Sequence, residues 1–276
     1  MSVAPMELDG GFQMDTANYQ WLCATVEQSI GVRLQNKENL VHNRLSRRAR
    51  QLGLRSLGEY RAYVEGAGDE GLREVLDILT TNVTSFFREN GHFERLAEVL
   101  ADFDKPKLRI WSSACSSGEE PYSIAMTVRA ALPRVDERDV KILATDINTE
   151  VLAHAEEGIY NSDRVSGLSK EVLSTNFLHG RGAKEGLVAV RPEVRALVTF
   201  RRLNLIEAWP FRGPFDVIFC RNVVIYFDKP TQTELFRRMA NLLAPGGLLF
   251  IGHSEIVSGC DDLLKAEGNT TYRRVR

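Results

Sequence analysis

Apolar residues recur every third or fourth position through the first hundred residues. Beyond residue 102 they gather instead into short β-rich runs that alternate with helical ones. In the first region Tyr19, Leu22, Cys23, Val26 and Ile30 keep helical spacing until Gly31 closes the pattern, and Val41, Leu45, Ala49 and Leu52 repeat it before Gly53. Further helical runs are predicted over 57–64, 70–80 and 86–100. In the second region the strands are predicted at 108–112, 140–145, 215–220 and 247–252, and the helices at 120–131, 149–157 and 230–243.

Such alternation implies right-handed βαβ units and a parallel sheet, so the fold class is α/β behind an all-helical N-terminal domain. The final run, 270–275, follows Asn269 closely enough to return as an antiparallel edge strand. The pattern breaks between about 160 and 203, where a Gly-rich stretch at 179–186 precedes the alternating 187–191. That segment reads as a small hairpin-containing β-subdomain. The expected organisation is a flexible tail at 1–18, a helical domain at 19–101, a linker at 102–107 and an α/β domain at 108–276.

Composition narrows the class of protein. A chain of 276 residues with 43% apolar and 26% charged residues is that of a folded domain or two, not a disordered one. No segment has the apolar run of a signal peptide or a membrane span, so a cytoplasmic location is expected. Cys23, Cys115, Cys220 and Cys260 lie far apart, which argues against a zinc site or a disulfide framework and for buried free thiols. The net charge of -2 hides a local basic face, because Arg44, Arg47, Arg48, Arg50, Arg55 and Arg61 share a window whose only acid is Glu59. Arg44, Arg47 and Arg48 fall on one helix face; they form either a solvated surface or a docking site.

Ligands of open α/β sheets bind beyond the carboxyl ends of the strands. After the first strand, residues 113–118 form a small-residue loop without the glycine fingerprint of dinucleotide or triphosphate sites. Glu119 and Glu120 follow it and would repel phosphate but attract a cationic or ammonium-bearing ligand. The alternative is that both acids only stabilise the helix start, at about 0.3–1 kcal/mol each. Asp146, at the end of the second strand, could accept ribose hydroxyls or cap a helix. Arg221 and Asn222 follow a mostly apolar strand, and Asn82, Thr84 and Arg88 project from a segment anchored by Phe86 and Phe87.

Six blocks carry a resemblance: TNVTSFFR (81–88), WSSACSSGEEPYS (111–123), ATDIN (144–148), LNL (203–205), FDVIFCRNVVIYF (215–227) and GHSE (252–255). In this order and spacing the chain resembles the bacterial chemotaxis receptor glutamate O-methyltransferases, from about Tyr19 to Arg276. The resemblance implies a Rossmann-like S-adenosylmethionine-dependent methyltransferase domain with an inserted β-subdomain. It implies cofactor contacts at Asn82, Thr84, Arg88, Glu120, Asp146, Asn204, Leu205, Arg221 and Asn222, with Glu120 rather than Glu119 at the methionyl end, an assignment open by one position. Arg88 and Tyr226 are then the catalytic candidates.

The same resemblance implies receptor binding through Arg44, Arg47 and Arg48. It also implies capture of a receptor C-terminal peptide by the loop containing Gly180 and Gly182. The partner is the cytoplasmic domain of transmembrane chemoreceptors, met at receptor arrays at the inner membrane by a free-standing, monomeric enzyme. No metal, nucleic acid or membrane insertion is expected. A glutamate acceptor, with a pKa of about 4.3, is ionised at neutral pH and needs no general base, so catalysis should rest on alignment. The competing readings are a methyltransferase for another acceptor and a non-catalytic cofactor sensor. A nicotinamide dehydrogenase is disfavoured by the missing fingerprint.

Overall fold

The computed structural model describes residues 11–132 and 134–275. The chain divides into two compact units, one of residues 1–81 with Tyr226–Asp228 and one of Asn82–Ile225 with Lys229–Arg276.

The first unit holds α1 (Thr16–Ile30), α2 (Glu38–Gln51), α3 (Leu57–Ala67) and α4 (Asp69–Leu79). Asp15 starts α1 by accepting the Asn18 N–H at 2.9 Å, and Gly31, at φ 73°, ends it in the left-handed conformation. The predicted apolar stripe of α1 is its buried face, and Val41, Leu45 and Ala49 are that of α2. Within the segment expected as a tail, Phe12 is 3% exposed against the ring of His42, and Gln13 bridges to Ser56. Residues 1–10 lie outside the described set.

The second unit begins with α5 (Gly91–Ala101) and continues with β1 (Lys107–Ser112), α6 (Glu119–Ala131), β2 (Asp139–Asp146) and α7 (Thr149–Glu157). The helix predicted over 86–100 starts only at Gly91, because Phe87 and Glu89 adopt left-handed φ values of 52° and 57°. Phe93, Leu96 and Leu100 of α5 share a core with Ile110, Ile124 and Val128, so the helix belongs to the α/β unit. The division at 81/82 therefore precedes the linker expected at 102–107, whose residues run directly into β1.

A three-stranded antiparallel sheet follows, ordered β3 (Ile159–Asn161), β5 (Leu187–Val190), β4 (Phe177–His179), with α8 (Lys170–Asn176) between β3 and β4. It is larger than the predicted hairpin and ends sooner. After α9 (Pro192–Arg195), β6 (Val198–Arg202) rejoins the main sheet beside β2. The chain then runs through β7 (Phe215–Cys220), α10 (Lys229–Leu242), β8 (Leu243–Ile251), β9 (Leu264–Gly268) and β10 (Thr271–Arg274).

The seven strands are ordered β6-β2-β1-β7-β8-β10-β9. The first five in that order run parallel, whereas β10 runs antiparallel to both β8 and β9. The last strand is thus not the edge: β9, whose exposed residues gave no apolar signal, covers it. Strand order reverses between β1 and β7, where Ser112 stands in register with both Ala144 and Phe219. That register brings the loops after β2, β1 and β7 side by side, with Trp111, Phe219 and Phe250 buried beneath them. It is the topological switch point of the sheet.

Candidate cofactor and active site

The loop after β1 is tied to its neighbours through its backbone. Ser113 N–H donates to Phe219 O at 2.9 Å and Cys115 N–H to Thr145 O at 2.9 Å. Gly118, at φ 95°, turns the chain into α6. A Cβ there would lie 2.8 Å from the Tyr160 hydroxyl and 2.9 Å from Ala155 Cβ, so only glycine fits.

The two acids at the start of α6 are both buried, and neither is a simple solvated helix-terminus charge. Glu119, 1% exposed, accepts from Ser117 Oγ at 2.7 Å and forms an ion pair with Arg164, which also donates to Thr84 O at 2.8 Å. Glu120 accepts from Ser112 Oγ at 2.7 Å and from Arg221 Nη1 at 3.0 Å. Burial pushes the Glu120 carboxyl above its ordinary range, although Arg221 opposes that shift. Glu119 is thus the buried partner of Arg164 at the start of α6.

Arg221, just past β7, is the centre of the cluster. Its guanidinium lies 3.0 Å from Glu120 Oε2 and 3.0 Å from Glu89 Oε2, donates to the carbonyl of Arg88, and faces the ring of Phe93. Two carboxylates share one guanidinium, which leaves a surplus negative charge at the switch point. Burial disfavours the charged form of Glu89, yet the hydrogen bonds and charge of Arg221 hold its carboxyl below the usual range. Arg221 Nε is buried and has no partner among the described residues.

Asp146 stands at the end of β2, where its carboxylate accepts from Ser116 N at 2.8 Å and Asn148 N at 3.0 Å. The cap of α7 is Asn148, which accepts from Val151 N, so Asp146 is not used as a helix cap. Asn204 and Leu205 follow β6; Asn204 donates to Glu207 at 2.9 Å, and the Leu205 carbonyl accepts from Trp209 and Arg238. Asn82 O accepts from Ser116 Oγ at 2.9 Å, and Arg88 Nη1 donates to Val83 O at 2.9 Å, which closes the 82–88 loop. All of these residues lie in the second unit. Tyr226 does not: it groups with the first unit, where its carbonyl accepts from Arg33 N and its ring lies 5.3 Å from Lys37 Nζ.

The acid of the GHSE block carries no role that the sequence alone makes visible. Glu255 is buried and accepts backbone N–H groups from Gly252 at 2.6 Å, Asn222 at 3.0 Å and Val224 at 3.0 Å, locking the loops after β7 and β8 together. A Cβ on Gly252 would lie 2.5 Å from Asn222 Nδ2, so this glycine is the signal that pointed to close packing. Glu89 was likewise missed, although it directly follows the quoted TNVTSFFR block. Non-glycine residues with left-handed φ gather here at Phe87, Glu89, Ser116 and Asn222, a mark of a site held in shape by its surroundings. The four cysteines are buried and free, as expected. Burial pushes the Cys115 and Cys220 thiols up, which makes them unsuited to act as nucleophiles.

The basic helix differs from expectation. Arg44 donates to the carbonyls of Leu79 and Thr80 at 2.7 and 2.8 Å and so caps α4, and Arg48 forms a two-point pair with Glu74 at 3.0 and 2.8 Å. Both are structural within the first unit. Arg47 is exposed. Gly180 sits where a Cβ would overlap the Lys184 carbonyl at 1.9 Å, and Gly182 adopts φ 59°, so both glycines are needed by the β4–β5 turn.

A largely parallel sheet whose order reverses between β1 and β7 is a Rossmann-like fold, and the family match makes it one of the S-adenosylmethionine-dependent methyltransferase class. Residues 82–273 match the family described as CheR methyltransferase, SAM binding domain, and residues 17–80 match CheR methyltransferase, all-alpha domain. The chain belongs to the CheR methyltransferase family.

It is 46% identical over 247 residues to a probable chemotaxis protein methyltransferase of Rhizobium etli, covering 87% of this chain and 92% of the relative. It is 44% identical over 262 residues to the chemotaxis protein methyltransferase of Salmonella typhimurium, covering 94% and 90%. Against that of Escherichia coli it is 43% identical over 262 residues, covering 94% and 91%. The family and fold implied by the six blocks are therefore borne out.

Proposed function

We propose that the protein transfers a methyl group from S-adenosylmethionine to glutamate side chains of chemoreceptors, giving methyl esters and S-adenosylhomocysteine in sensory adaptation. The observation that carries this reading is the surplus negative charge around Arg221, because Glu89 and Glu120 together outnumber the guanidinium that pairs with them. That surplus suits a ligand bearing an ammonium and a sulfonium better than a pyrophosphate. When bound, S-adenosylmethionine supplies an electrophilic methyl that an ionised carboxylate can accept without prior deprotonation.

Glu120 holds the amino-acid end and Asp146 the ribose, while Asn204 and Leu205 flank the base. Arg221 and Asn222 complete the pocket, Arg221 by setting the position of Glu120. Asn82 and Thr84 close it from the 82–88 loop. Arg88 spends one nitrogen on Val83 O, and the rest of its guanidinium orients the substrate carboxylate. Positioning of this kind raises effective molarity without proton transfer.

Receptor recognition uses two further surfaces. Arg47 supplies the outward charge of the basic helix, while Arg44 and Arg48 keep that helix in place. The three-stranded sheet has two edge strands, β3 and β4, to which a receptor C-terminal peptide adds as a strand, with Gly180 and Gly182 shaping the adjoining turn. The enzyme acts as a monomer in the cytoplasm, at receptor arrays. Among the described residues no helix is long and apolar enough to cross a membrane.

The test is incubation with methyl-labelled S-adenosylmethionine and receptor-containing membranes. Labelled receptor is expected with the wild type and not with Asp146→Ala; unlabelled receptor with the wild type would refute the reading.

A further inference from the structure

Glu89, His92 and His253 meet beside the cluster just described, and none of the assigned roles uses either imidazole. His92 Nδ1 lies 3.7 Å from Glu89 Oε2 and His253 Nε2 lies 3.8 Å from the same oxygen. The three ligand atoms fall within 4.8 Å of one another. The state of His92 follows from its other nitrogen. Nε2 lies 2.8 Å from the carbonyl of Asn269, which can only accept, so Nε2 carries the proton and Nδ1 carries the lone pair. That lone pair is buried and has no hydrogen-bond partner among the described residues.

A buried imidazole whose N–H is fixed by a backbone carbonyl and whose lone pair faces a carboxylate is the usual arrangement of a metal-binding histidine. We infer that Glu89, His92 and His253 bind one divalent transition ion of the zinc class, and that the bound ion draws Glu89 away from Arg221.

The chemistry of the donors selects the ion. Two imidazole nitrogens and one carboxylate oxygen suit zinc and its neighbours rather than magnesium or calcium, and three protein ligands leave a fourth position for water. Bonds of about 2.0–2.2 Å place two ligands of a tetrahedral ion about 3.3–3.6 Å apart. The 3.7 and 3.8 Å separations from Glu89 Oε2 lie just above that range, and the set as a whole, within 4.8 Å, must contract around the ion. His253, 58% exposed in its side chain, can supply the movement.

Opposing the ion, Arg221 Nη2 lies 3.0 Å from Glu89 Oε2, Asn222 Nδ2 lies 3.3 Å from Oε1, and His253 N donates to Oε2 at 3.3 Å. The surplus carboxylate charge shared by Glu89 and Glu120 offsets part of that opposition. The ion and the guanidinium are alternatives at Oε2. Occupancy by metal therefore loosens Arg221 and Asn222 and lowers affinity for the cofactor, a consequence that rests on their role in the proposed function. This departs from the sequence-based expectation of no metal.

The test uses the full-length protein titrated calorimetrically with Zn2+, and Co2+ as a spectroscopic probe. The wild type should bind one ion per chain and give the intense visible bands of tetrahedral Co2+, while His253→Ala should lose the bands and at least about tenfold in affinity. Zn2+ should weaken S-adenosylhomocysteine binding to the wild type, and S-adenosylhomocysteine should weaken Zn2+ binding by the same factor, whereas His253→Ala shows neither effect. Equal Zn2+ affinity in wild type and variant, or no binding at micromolar Zn2+, would overturn the site. Binding that leaves S-adenosylhomocysteine affinity unchanged would overturn the competition at Glu89. A wild type that fails to bind S-adenosylhomocysteine without metal would instead overturn the cofactor reading, with the Co2+ spectrum still deciding the metal site.

Discussion

Arg221 Nη1 donates to Glu120 Oε2 at 3.0 Å, joining the end of β7 to the start of α6 across the point where strand order reverses. Both side chains are nearly or wholly buried, so the desolvation of each is offset only while the other is present. Arg221→Met should destabilise the second unit by about 3–5 kcal/mol, because it leaves Glu89 and Glu120 facing each other without a counter-charge. Adding Glu120→Gln should recover part of that loss, with a coupling of about 0.5–3 kcal/mol in denaturant unfolding. Strictly additive losses would show that the pair is not coupled.

Among the described residues the Arg88 side chain makes one hydrogen bond, to Val83 O within its own loop. Arg88→Ala should therefore shift the unfolding midpoint little while lowering methyl transfer by about 10²-fold or more, as expected when a reacting group is misplaced. Cofactor binding measured separately should fall far less than turnover. Wild-type turnover in this variant would remove Arg88 from the site.

On the basic helix, the charge that faces outward separates from the charge that holds the fold. Arg47→Glu should lower receptor methylation several-fold at low ionic strength, with the difference closing as salt rises, and should leave thermal stability unchanged. Arg44→Ala should instead destabilise the first unit by about 1–3 kcal/mol, because it strips hydrogen bonds from the end of α4. Equal methylation by wild type and Arg47→Glu at low salt would rule out docking by this face.

Glu74 accepts from Arg48, Tyr60 and Tyr63, and the Arg48 hydrogen bonds hold its carboxyl below the ordinary value of 4.5. A carboxyl with a lowered folded pKa contributes stability that is fully present above the unfolded value. The contribution is lost as pH falls through the lower folded value. Glu74→Gln should destabilise the first unit by about 1.5–3 kcal/mol at neutral pH and flatten the acid limb of its stability profile below about pH 4.5. Parallel profiles for wild type and variant would assign the acid loss elsewhere.

What the sequence revealed depended on how local the cause was. Helix stripes and the apolar strands β1, β2 and β7 follow from periodicity and were placed within a residue or two. β6 and β9 present mostly exposed or partly exposed residues and gave no pattern, so the edge of the sheet was misassigned to β10. The helix expected from Phe86 fails because tertiary contacts hold Phe87 and Glu89 at positive φ, which apolar spacing does not encode.

In the site, the strand-end polar residues Asp146, Arg221 and Asn222 were legible because polar groups interrupt apolar runs. Their partners were not. Glu119 with Arg164, Glu120 with Arg221, and Glu255 with the Asn222 backbone are contacts between residues 33 to 101 positions apart, and only the fold brings them together. The same limit applied to Arg44 and Arg48, whose spacing on α2 marked a shared face without showing that α4 and Glu74 already occupied them.

The central claim is that the acceptor is a glutamate carboxylate, and the chemistry of the product tests it directly. Receptor-containing membranes are incubated with the enzyme and methyl-labelled S-adenosylmethionine, washed, and treated with mild alkali. A methyl ester hydrolyses under these conditions, so the label should leave the receptor as volatile methanol. Label that stays on the protein after alkali would indicate transfer to nitrogen and contradict the account.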